Sequence, residues 1–475
     1  MHEILTYLKD AFYILYVLAI LTAVIALVLE NRNPLKTIAW ILVMTCLPIV
    51  GFIAYLLFGQ KWYKRHIIGK RTLKKFAQSP AMRRLEKSLS TFPQSQWKLA
   101  SFFIKTESSF PFPANAVTPY FDGADFIISL LREISHAKQH IHLEYYIFMD
   151  DATGHIIADA LIEKAAQGVK IRVIVDDLGC WKTHKHFFDR LEKHNIEVVK
   201  FLPVKTLPIQ SRINYRNHRK LTIIDGKTGF IGGMNIADRY IKGVKWGVWR
   251  DTQIMIRGYA VHQMQLTFIR DWYFATKQSL LDKQYFPMLE NCGTAIVQIA
   301  TSAPFDKWQR IMQGLVLAIS RAKDYFFIET PYFMPTEQVL MALQTAALSG
   351  IDVRLIVPQH SDSMMTQLAT RSYLKDLLKS GVKVYMYKAG FIHSKMMVSD
   401  DLLTVIGSCN MDFRSFLQNF EANAFIYDKD FAAIAKRQFQ ADQAQSIRVT
   451  HQVWKHRKWH IKVKESIVRI FSPLL

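Results

Sequence analysis

Residues 218–225 read HRKLTIID and are followed, six residues later, by GGMN at 232–235. The same arrangement recurs as HSKMMVSD at 393–400 with GSCN at 407–410. Both copies fit the pattern H-x-K-x4-D-x6-G-[GS]-x-N. One match to so many defined positions is improbable by chance. Two matches in one chain therefore indicate a duplicated functional motif that decides both the fold and the chemistry.

Each copy combines residue types that handle phosphate. His218 and Lys220 are two apart on a predicted strand, so their side chains point to the same face, and His393 and Lys395 repeat this spacing. The glycines that follow permit a tight turn and a close backbone approach. If the two copies meet, their lysine and asparagine groups can bind phosphate oxygens without a metal, which leaves one imidazole as nucleophile and one as acid.

Further residues complete the candidate site. Asn235 and Asn410 end the motifs and are predicted to bind the substrate phosphate. Asp225 and Asp400 are counted with the catalytic motif, although their place at the far end of each strand favours a salt bridge or a turn. A nucleophilic imidazole needs a partner on its other nitrogen. Two carboxylates that follow the motifs are the candidate orienting residues, or else ordinary acids at strand ends: Asp251 and Glu421.

The motifs lie within a longer repeat of strands and helices. In the first half the hydrophobic pattern predicts strands at 140–147, 169–175 and 196–201, with helices at 156–167 and 183–194. In the second half it predicts strands at 325–332, 351–357 and 382–387, with helices at 337–349 and 372–378. Single residues also recur, for example Glu144 at Glu329. The predicted fold is therefore α/β, with two duplicated domains of mainly parallel sheet flanked by helices, packed about a pseudo-twofold axis with the site at their junction.

The N-terminal residues predict a transmembrane hairpin. Residues 11–29 and 37–60 contain no charged side chain, and each stretch is long enough to cross a bilayer as a helix. The short segment at 30–36 separates them, and Pro48 is expected to kink the second helix. A signal peptide and buried core helices are the alternatives. The first lacks a visible cleavage site, and the second is disfavoured by the long absence of charge.

The charges around the hairpin predict its orientation. Residues 61–87 hold ten lysines and arginines against one glutamate, whereas the loop between the spans holds only Arg32 and Lys36. The positive-inside rule therefore places the loop outside, and the N-terminus and catalytic domains in the cytoplasm. The basic segment is expected to contact anionic lipid headgroups, or else to be a solvated linker.

Length and composition limit the remaining choices. At about 150 residues per domain, 475 residues allow roughly three units. The net charge of +22 indicates an anionic partner, and the four cysteines show neither disulfide nor zinc-site spacing. We expect a hairpin at 1–60, a basic juxtamembrane linker at 61–110, and the two duplicated α/β domains at 111–285 and 286–475, the second with a basic amphipathic C-terminus. Residues 454–470 mix aromatic, aliphatic and basic residues, which is typical of an interfacial amphipathic helix or of a closing helix packed on the second domain.

The duplicated motif resembles the HKD motif of the phospholipase D superfamily. More narrowly, the chain is similar to bacterial cardiolipin synthases, and the similarity extends over nearly its whole length. No motif position departs from the family pattern. Besides the two motifs, the segments that carry the resemblance are 31–34, 37–40, 249–251, 371–373, 410–415, 419–421 and 472–475.

The resemblance implies transphosphatidylation. One histidine attacks the phosphodiester of phosphatidylglycerol and forms a phosphatidyl-histidine intermediate. The other protonates the departing glycerol and then deprotonates the hydroxyl of a second phosphatidylglycerol, which gives cardiolipin. The family's usual assignment makes His218 the nucleophile and His393 the acid and base, although the nearly symmetric sequence does not itself decide this. Exchange of one phosphodiester for another is close to isoenergetic, so we expect no cofactor and no metal ligands.

The expected partners are phosphatidylglycerol and anionic membrane lipids rather than nucleic acid, and the expected location is the cell membrane with two spans. A membrane-bound phospholipase D-type hydrolase or a nuclease would use the same histidines and lysines, and a charge of +22 suits DNA as well as lipid. Much of the charge is juxtamembrane, which argues against a nuclease. A phosphatidylserine synthase would not explain the hairpin, and a non-catalytic scaffold would not explain two intact motifs.

Overall fold

A computed structural model describes residues 2–29, 34–55, 92–204 and 214–475 of the chain. The chain divides into two compact units, of which the first comprises 1–64 with 204–214 and the second comprises 65–203 with 215–475. Most of the predicted basic linker and the last five residues of the second predicted span lie outside the described residues.

The described residues of the first unit form three helices, α1 (His2–Leu29), α2 (Pro34–Cys46) and α3 (Pro48–Ala54). Within α1, the 21 residues Lys9–Leu29 form the one helix of the described residues that is long and apolar enough to cross a membrane. At about 1.5 Å per residue this length matches a bilayer core of about 30 Å. The second predicted span is interrupted between α2 and α3, because Pro48 lacks the backbone N–H that would continue the helix.

The helices of the first unit share a small apolar contact. Leu27, Met44 and Tyr55 are buried, and the rings of Trp40 and Tyr55 meet edge to face with centroids 5.6 Å apart. Most other side chains of α1 are exposed. That pattern is typical of a helix whose surroundings are lipid rather than protein.

The second unit is α/β. Its helices are α4 (Trp97–Glu107), α5 (Gly123–Ser135), α6 (Ala152–Ala166), α7 (Lys185–Lys193), α8 (Arg239–Lys242), α9 (Ala260–Thr276), α10 (Arg310–Arg321), α11 (Glu337–Leu348), α12 (Met364–Lys379), α13 (Phe413–Leu417), α14 (Lys429–Ala444), α15 (His451–Lys455) and α16 (Trp459–Ile470), with short 3₁₀ turns at Gln94–Gln96, Lys283–Tyr285 and Ser472–Leu474. Its strands are β1 (Phe112–Tyr120), β2 (His140–Tyr145), β3 (Lys170–Asp176), β4 (Glu197–Phe201), β5 (Arg216–Asn217), β6 (Lys220–Ile224), β7 (Thr228–Gly232), β8 (Val248–Arg250), β9 (Gln253–Arg257), β10 (Ala295–Ser302), β11 (Tyr325–Glu329), β12 (Phe333–Met334), β13 (Asp352–Pro358), β14 (Lys383–Tyr387), β15 (Gly390–Ile392), β16 (Met396–Ser399), β17 (Leu403–Gly407), β18 (Met411–Asp412), β19 (Asn419–Tyr427) and β20 (Ser446–Val449).

One continuous sheet carries both halves of the second unit. Its strand order is β20-β14-β13-β11-β16-β17-β19-β10-β1-β9-β7-β6-β2-β3-β4, and β5 pairs with β19 beside this path. The halves join where β10 pairs antiparallel with β1, for example Val297 with Phe112. Two small sheets, β12-β18 and β15-β8, lie outside the main sheet.

The sheet is mixed, so the expectation of mainly parallel sheets is wrong. Along the main path, parallel pairing is limited to β2-β3-β4 and β11-β13-β14. The motif strands β6 and β7 pair antiparallel, as do β16 and β17. Residues 225–227 and 400–402 are the only links between these strands. A three-residue link forms a hairpin and is too short to cross over to a parallel neighbour.

The two halves of the second unit share a buried apolar core. A central core contains side chains from both, including Ile223 and Ile254 from the first half and Val398 and Ile406 from the second, all essentially inaccessible to solvent. Separate cores lie within each half. Burial of each such aliphatic side chain contributes about 1.5–3 kcal/mol. The junction between the halves is therefore part of the folded core rather than a loose interface.

The C-terminal helix α16 both packs and exposes apolar side chains. Glu465 and Val468 are buried, whereas Trp459, Val463 and Ile467 are exposed. One face of the helix therefore closes the second half, and the other face remains apolar and uncovered within the described residues.

Candidate active site

His218 lies on a two-residue connection between β5 and β6. Its backbone N–H donates to the carbonyl of Phe420 at 3.0 Å, which continues the parallel pairing of β5 with the start of β19. This places the ring against Glu421, whose two carboxylate oxygens lie 2.9 and 3.1 Å from Nδ1. The carboxylate is fully buried, and the histidine side chain keeps 12% exposure. Glu421 therefore holds Nδ1 and leaves Nε2 available for chemistry.

His393 is held in the same way by the first half. It follows β15, which pairs parallel with β8, and its N–H donates to the carbonyl of Arg250 at 2.6 Å. Its Nδ1 lies 2.6 Å from Oδ2 of Asp251, which is fully buried. Each motif histidine is thus oriented by the carboxylate of the opposite half. The sequence singled out both carboxylates without indicating this exchange.

The variable [GS] position of the motif explains how each carboxylate fits. A side chain at Gly233 would place its Cβ only 2.1 Å from Oδ1 of Asp251, so only glycine leaves room for this carboxylate. At the equivalent position, the hydroxyl of Ser408 donates a short hydrogen bond to Glu421. The first half therefore makes room for Asp251 with a glycine, and the second half binds Glu421 with a serine hydroxyl.

Both motif lysines are buried beside the histidines. Lys220 and Lys395 are at most 1% exposed, and each Nζ donates to the carbonyl oxygen of the histidine in its own motif at 2.5 Å. The Lys395 Nζ also lies 2.9 and 3.2 Å from the two ring nitrogens of His393. Burial lowers the pKa of Lys220 to about 7 and that of Lys395 to about 8. A phosphate anion entering between them would favour their charged form.

The electrostatics join the two motifs into one site. Burial, assisted by Lys220 and Lys395 and opposed by Glu421, lowers the pKa of His218 to about 4. Burial, followed by the same two ammonium groups and opposed by Asp251, lowers the pKa of His393 to about 3. Each lysine therefore acts on the histidine of the other half as well as on its own. Both imidazoles are neutral at pH 7 before substrate binds.

The orienting carboxylates remain ionised. Burial alone would raise the pKa of Asp251, but Lys395 and His393 bring it below its ordinary value. Likewise His218 and Lys220 outweigh burial and lower the pKa of Glu421. A carboxylate anion on Nδ1 stabilises positive charge on an imidazole ring, which is the charge that develops when Nε2 is phosphorylated or protonated.

The motif aspartates lie at the opposite end of the motif strands, roughly 20 Å along the chain from the histidines at about 3.3 Å per residue. The carboxylate of Asp225 accepts three backbone N–H groups, from residues 138–140, at 2.8–2.9 Å. Asp400 does the same with residues 323–325 at 3.0–3.1 Å. Both have positive φ, 52° and 53°. These contacts are those of turn-stabilising residues rather than of groups that touch substrate.

The motif asparagines are buried within the protein framework. The amide of Asn235 donates to the hydroxyl of Tyr240 at 2.7 Å, and its oxygen accepts the backbone N–H of Ile147 at 3.0 Å. The backbone N–H of Asn410 donates to Oγ of Ser415 at 3.2 Å. Their role in phosphate binding stays a prediction, and for Asn235 the contacts also supply a structural role.

Aromatic rings and further buried charges that the motif analysis did not single out surround the histidines. The ring of Tyr146 contacts His218 with centroids 5.1 Å apart, and Trp249 and Phe391 lie 5.3 and 5.7 Å from His393. Trp249 belongs to the segment 249–251, which carries part of the family resemblance and also contains Asp251. The recurring Glu144 and Glu329 lie deeper, where Glu144 accepts from the Asn217 amide at 2.6 Å and Glu329 lies 3.7 Å from the Arg250 guanidinium.

One group of side chains among the described residues has the composition of a metal site. The ligand atoms of Asp150, His184 and His186 lie within 4.8 Å of one another. They belong to the loop after β2 and to the start of α7, not to the two motifs. The candidate reacting groups, two imidazoles and two ammonium groups, are of the chemical types that can bind and transfer a phosphoryl group without a cofactor.

A pair of carboxylate-held imidazoles with two buried lysines, built from a duplicated H-x-K-x4-D motif, defines a phosphoryl-transfer site of the phospholipase D class. The family model described as "Cardiolipin synthase, PLD-like domain" matches residues 130–272 and 315–443. A second, described as "Phospholipase_D-nuclease N-terminal", matches residues 14–60.

Two relatives match along almost their whole length. The chain is 41% identical over 472 residues to the major cardiolipin synthase ClsA of Bacillus subtilis (strain 168), with 97% of this chain and 98% of that protein covered. It is 38% identical over 478 residues to the cardiolipin synthase of Geobacillus kaustophilus (strain HTA426), with 98% and 94% covered. The chain belongs to the cardiolipin synthase family of the phospholipase D superfamily.

A solved structure supports the fold. The phosphatidylserine synthase of Haemophilus influenzae Rd KW20 superposes with a TM-score of 0.60 at 16% identity, covering 79% of this chain and 98% of that one. At this level of identity the likeness concerns the arrangement of helices and strands and not the substrate.

Proposed function

We propose that the chain joins two molecules of phosphatidylglycerol into cardiolipin and releases glycerol, by way of a phosphatidyl-histidine intermediate. The observation that carries this proposal is the exchange of carboxylates: each motif histidine is held through Nδ1 by a buried, ionised carboxylate of the other half, His218 by Glu421 and His393 by Asp251. Two imidazoles prepared in the same way at one site suit a reaction with two successive displacements at phosphorus.

In the first displacement, Nε2 of His218 attacks the phosphorus of phosphatidylglycerol. The bond from phosphorus to the headgroup glycerol oxygen breaks, and His393 gives that oxygen a proton. The ammonium groups of Lys220 and Lys395 stabilise the negative charge on the non-bridging oxygens. Glu421 stabilises the positive charge that forms on the phosphorylated ring.

In the second displacement, the terminal hydroxyl of another phosphatidylglycerol attacks the same phosphorus. Its proton passes to His393, which was left neutral by the first step, and the bond from phosphorus to Nε2 of His218 breaks. The products are cardiolipin and the starting enzyme. Since one phosphodiester replaces another, the cycle needs no nucleotide and no metal.

The resting electrostatics fit this sequence. His218 is neutral because its pKa is about 4, and a neutral ring is the nucleophilic form. His393 has to carry a proton in the first step, although its pKa is about 3 before substrate binds. A phosphodiester anion beside it raises that pKa, so proton uptake accompanies substrate binding.

Water is the competing acceptor, and its attack on the intermediate would give phosphatidic acid. The relatives are named cardiolipin synthases, which supports transfer over hydrolysis and a phospholipid as the substrate.

The test is a product assay with purified enzyme and phosphatidylglycerol labelled separately in its headgroup glycerol and its acyl chains. We expect released glycerol and cardiolipin in equal amounts. Phosphatidic acid as the only lipid product would instead support a hydrolase and would overturn the proposal.

Two histidine variants test the assigned roles. His218→Ala and His393→Ala should each reduce turnover by at least about 1,000-fold, whereas His451→Ala, on an exposed residue of α15, should not change it. Labelled lipid should become covalently attached to the His393→Ala protein and not to the His218→Ala protein. The reverse labelling would exchange the two roles.

The two halves of the catalytic unit are proposed to be related by a pseudo-twofold axis. The proposed domains are 111–285 and 286–475, and they follow a hairpin at 1–60 and a linker at 61–110 in the chain. Support comes from the strand order, in which β14-β13-β11-β16-β17-β19-β10 of one half runs into β1-β9-β7-β6-β2-β3-β4 of the other. Counted outward from the junction of β10 with β1, corresponding strands of the two repeats occupy the same place in the sheet order, for example β16 and β6.

In the membrane, both N-terminal apolar segments are proposed to span the bilayer, with the loop at 30–36 outside and the catalytic unit in the cytoplasm. Support comes from the length of Lys9–Leu29, from the apolar contact between α1 and α2, and from the basic residues at 61–87. The break before Pro48 is compatible with a span, since proline is tolerated within membrane helices.

Cysteine labelling tests this topology. Asn33→Cys, in a background in which the exposed Cys46 and Cys292 are replaced by serine, should react with a membrane-impermeant reagent added to intact cells. The same background without the new cysteine is the control. Protection of residue 33 in intact cells, with labelling after lysis, would reverse the orientation.

The uncovered face of α16 is proposed to lie in the interface of an anionic bilayer. Its exposed apolar side chains recur at helical spacing, and exposed lysines flank them, which is the composition of an interfacial helix. The apolar stripe consists of Trp459, Val463, Ile467, Ile470 and Leu474, and the flanking cations are Lys455, Lys458, Lys462 and Lys464.

A spin label at Val463→Cys tests this contact in nanodiscs. With phosphatidylglycerol present, oxygen should relax the label more effectively than a water-soluble agent does, and uncharged phosphatidylcholine nanodiscs should weaken this preference. Full accessibility to the water-soluble agent in both lipids would place this face of the helix away from the membrane.

A further inference from the structure

An arginine stands four residues after the final asparagine of each motif. Arg239 follows Asn235, and Arg414 follows Asn410. Arg239 is the first residue of the short helix α8 and Arg414 the second residue of the short helix α13, and both are partly exposed. The duplication has therefore placed a cationic side chain at the same position in each half, outside the set of residues that the proposed reaction uses.

Arg239 lies beside the acid–base histidine. Its guanidinium carbon is 5.2 Å from the ring centre of Trp249, and that ring is 5.3 Å from the ring of His393. Arg414 lies on the other side, close enough to Tyr146 to affect its ionisation, and Tyr146 contacts His218. Each arginine is thus one aromatic ring away from a different histidine.

The charge of Arg239 is not neutralised by its surroundings. In the part of the chain that the structure describes, no carboxylate forms an ion pair with its guanidinium. The adjacent Asp238 is occupied elsewhere: it accepts the N–H and hydroxyl of Thr153, both at 2.8 Å, and pairs with Lys242. A partly exposed guanidinium over a tryptophan ring keeps N–H groups that can bind an anion.

The group that leaves and the group that enters beside His393 differ in charge, and this difference identifies that anion. The group that leaves beside His393 is glycerol, which carries no phosphate, whereas the lipid that enters beside the same histidine carries its own phosphodiester three carbons from the attacking hydroxyl. A cation next to the acid–base histidine therefore contributes to the second displacement and not to the first. Arginine is suited to this task, because its planar N–H groups match phosphate oxygens in pairs.

We propose that Arg239 binds the phosphodiester of the acceptor phosphatidylglycerol, and so selects a second phospholipid over water and over free alcohols. This inference rests on the proposed function, with His393 as the acid and base. The same contact would hold the second phosphate of bound cardiolipin.

The test compares two acceptors in the same enzyme. Exchange of labelled free glycerol into phosphatidylglycerol uses the first displacement and its reversal, with no acceptor phosphate, whereas cardiolipin formation needs one. For Arg239→Gln we expect cardiolipin formation at subsaturating phosphatidylglycerol to fall between about 10-fold and about 100-fold, as for the loss of a charge-assisted hydrogen bond pair. Glycerol exchange should change by less than about threefold, and the share of phosphatidic acid should rise.

Controls separate binding from structure. Arg239→Lys keeps the positive charge and should retain part of the cardiolipin rate, with a KM above that of the unmodified enzyme. Arg448→Gln, on an exposed residue of β20, should leave both reactions unchanged. An equal loss of both reactions in Arg239→Gln would overturn the inference, as would a selective loss in Arg414→Gln instead. Failure of the unmodified enzyme to form cardiolipin at all would count against the proposed function rather than against Arg239.

A separate observation concerns the histidines around Asp150. One carboxylate oxygen lies 2.9 Å from Nε2 of His155, and the other lies 2.8 Å from Nδ1 of His184 and 3.5 Å from Nε2 of His186. The rings of His184 and His186 stack with centroids 5.3 Å apart. Three imidazoles thus converge on one carboxylate, at the surface and apart from the motif histidines.

This donor set suits a divalent ion of the zinc class, for which imidazole nitrogen and carboxylate oxygen are favoured ligands. We infer that Asp150, His184 and His186 bind one such ion, with His155 orienting the carboxylate from outside. Three protein ligands leave the fourth position of a tetrahedral ion to water or to a phosphate oxygen.

Spectroscopy of the purified full chain tests the site without reference to activity. Cobalt(II) should bind one equivalent with the visible absorption of a tetrahedral site, and zinc(II) should displace it. His186→Ala should abolish this spectrum, whereas His451→Ala should retain it. Binding of cobalt with the same stoichiometry and spectrum by His186→Ala, or no cobalt spectrum in the unmodified chain, would overturn the assignment.

Discussion

Replacement of Glu421 by glutamine tests one of the two contacts in which a carboxylate of one half holds the histidine of the other half. The carboxylate is fully buried and lies against Nδ1 of His218, and Ser408 donates to its other oxygen. Glutamine has nearly the same shape and can still accept a hydrogen bond from Nδ1. What it removes is the negative charge beside the ring. The variant therefore tests whether that charge stabilises the phosphorylated imidazole.

The distances set the size of the effect. Nδ1 lies 2.9 and 3.1 Å from the two oxygens of Glu421. A hydrogen bond to a charged group contributes about 1.5 to 3 kcal/mol, and two unit charges near 4 Å attract by about 4 kcal/mol at an effective dielectric constant of 20. The transition state for attack by His218 should lose an amount within this range. That corresponds to a rate between about 10-fold and about 1,000-fold lower.

The assay is single-turnover release of labelled glycerol from phosphatidylglycerol, which reports formation of the intermediate. A second readout is the pKa of the His218 ring by NMR, which should fall further below about 4, since a stabilising anion has been removed. Asp251→Asn is the matched variant and should lower the pKa of His393 instead. Glycerol release within about threefold of the unmodified rate, or a shift at His393 and none at His218, would refute the reasoning.

Three further perturbations follow from the same geometry. Gly233→Ala should reduce turnover more than about 10-fold, because its Cβ would stand 2.1 Å from the carboxylate of Asp251; an unchanged rate would contradict this tight fit. Asp225→Asn should lower the free energy of unfolding by about 1 to 3 kcal/mol, because an amide replaces the acceptor of three backbone N–H groups, and it should leave the KM unchanged. The kcat/KM for phosphatidylglycerol should fall as the pH rises through about 7 and then about 8, because the pKa values of Lys220 and Lys395 are lowered to these values and each lysine loses its charge there. A profile that stays flat to about pH 10, where an ordinary lysine begins to titrate, would argue against these two lysines as the phosphate-binding cations.

The predicted elements matched the structure where hydrophobic periodicity and length act locally. The strands around Ile141 and Val353 and the helices between them are present, because alternation and helical spacing encode burial within a single element. The predicted type of sheet was wrong. Residues 225–227 and 400–402 are too few for a crossover between parallel strands, so they form hairpins and the motif strands pair antiparallel.

The sequence by itself predicted the candidate reacting groups. The repeated spacing of His218 and His393 with their lysines was sufficient to propose a two-imidazole phosphoryl-transfer site, because spacing along a strand decides which side chains share a face. Only the tertiary structure decided which carboxylate serves which histidine. Glu421 and Asp251 each act on the opposite half, 203 and 142 residues away in the chain. Such a pairing depends on β5 lying beside β19 and β15 beside β8, and contacts between distant strands are set by the packing of the shared core rather than by any local pattern.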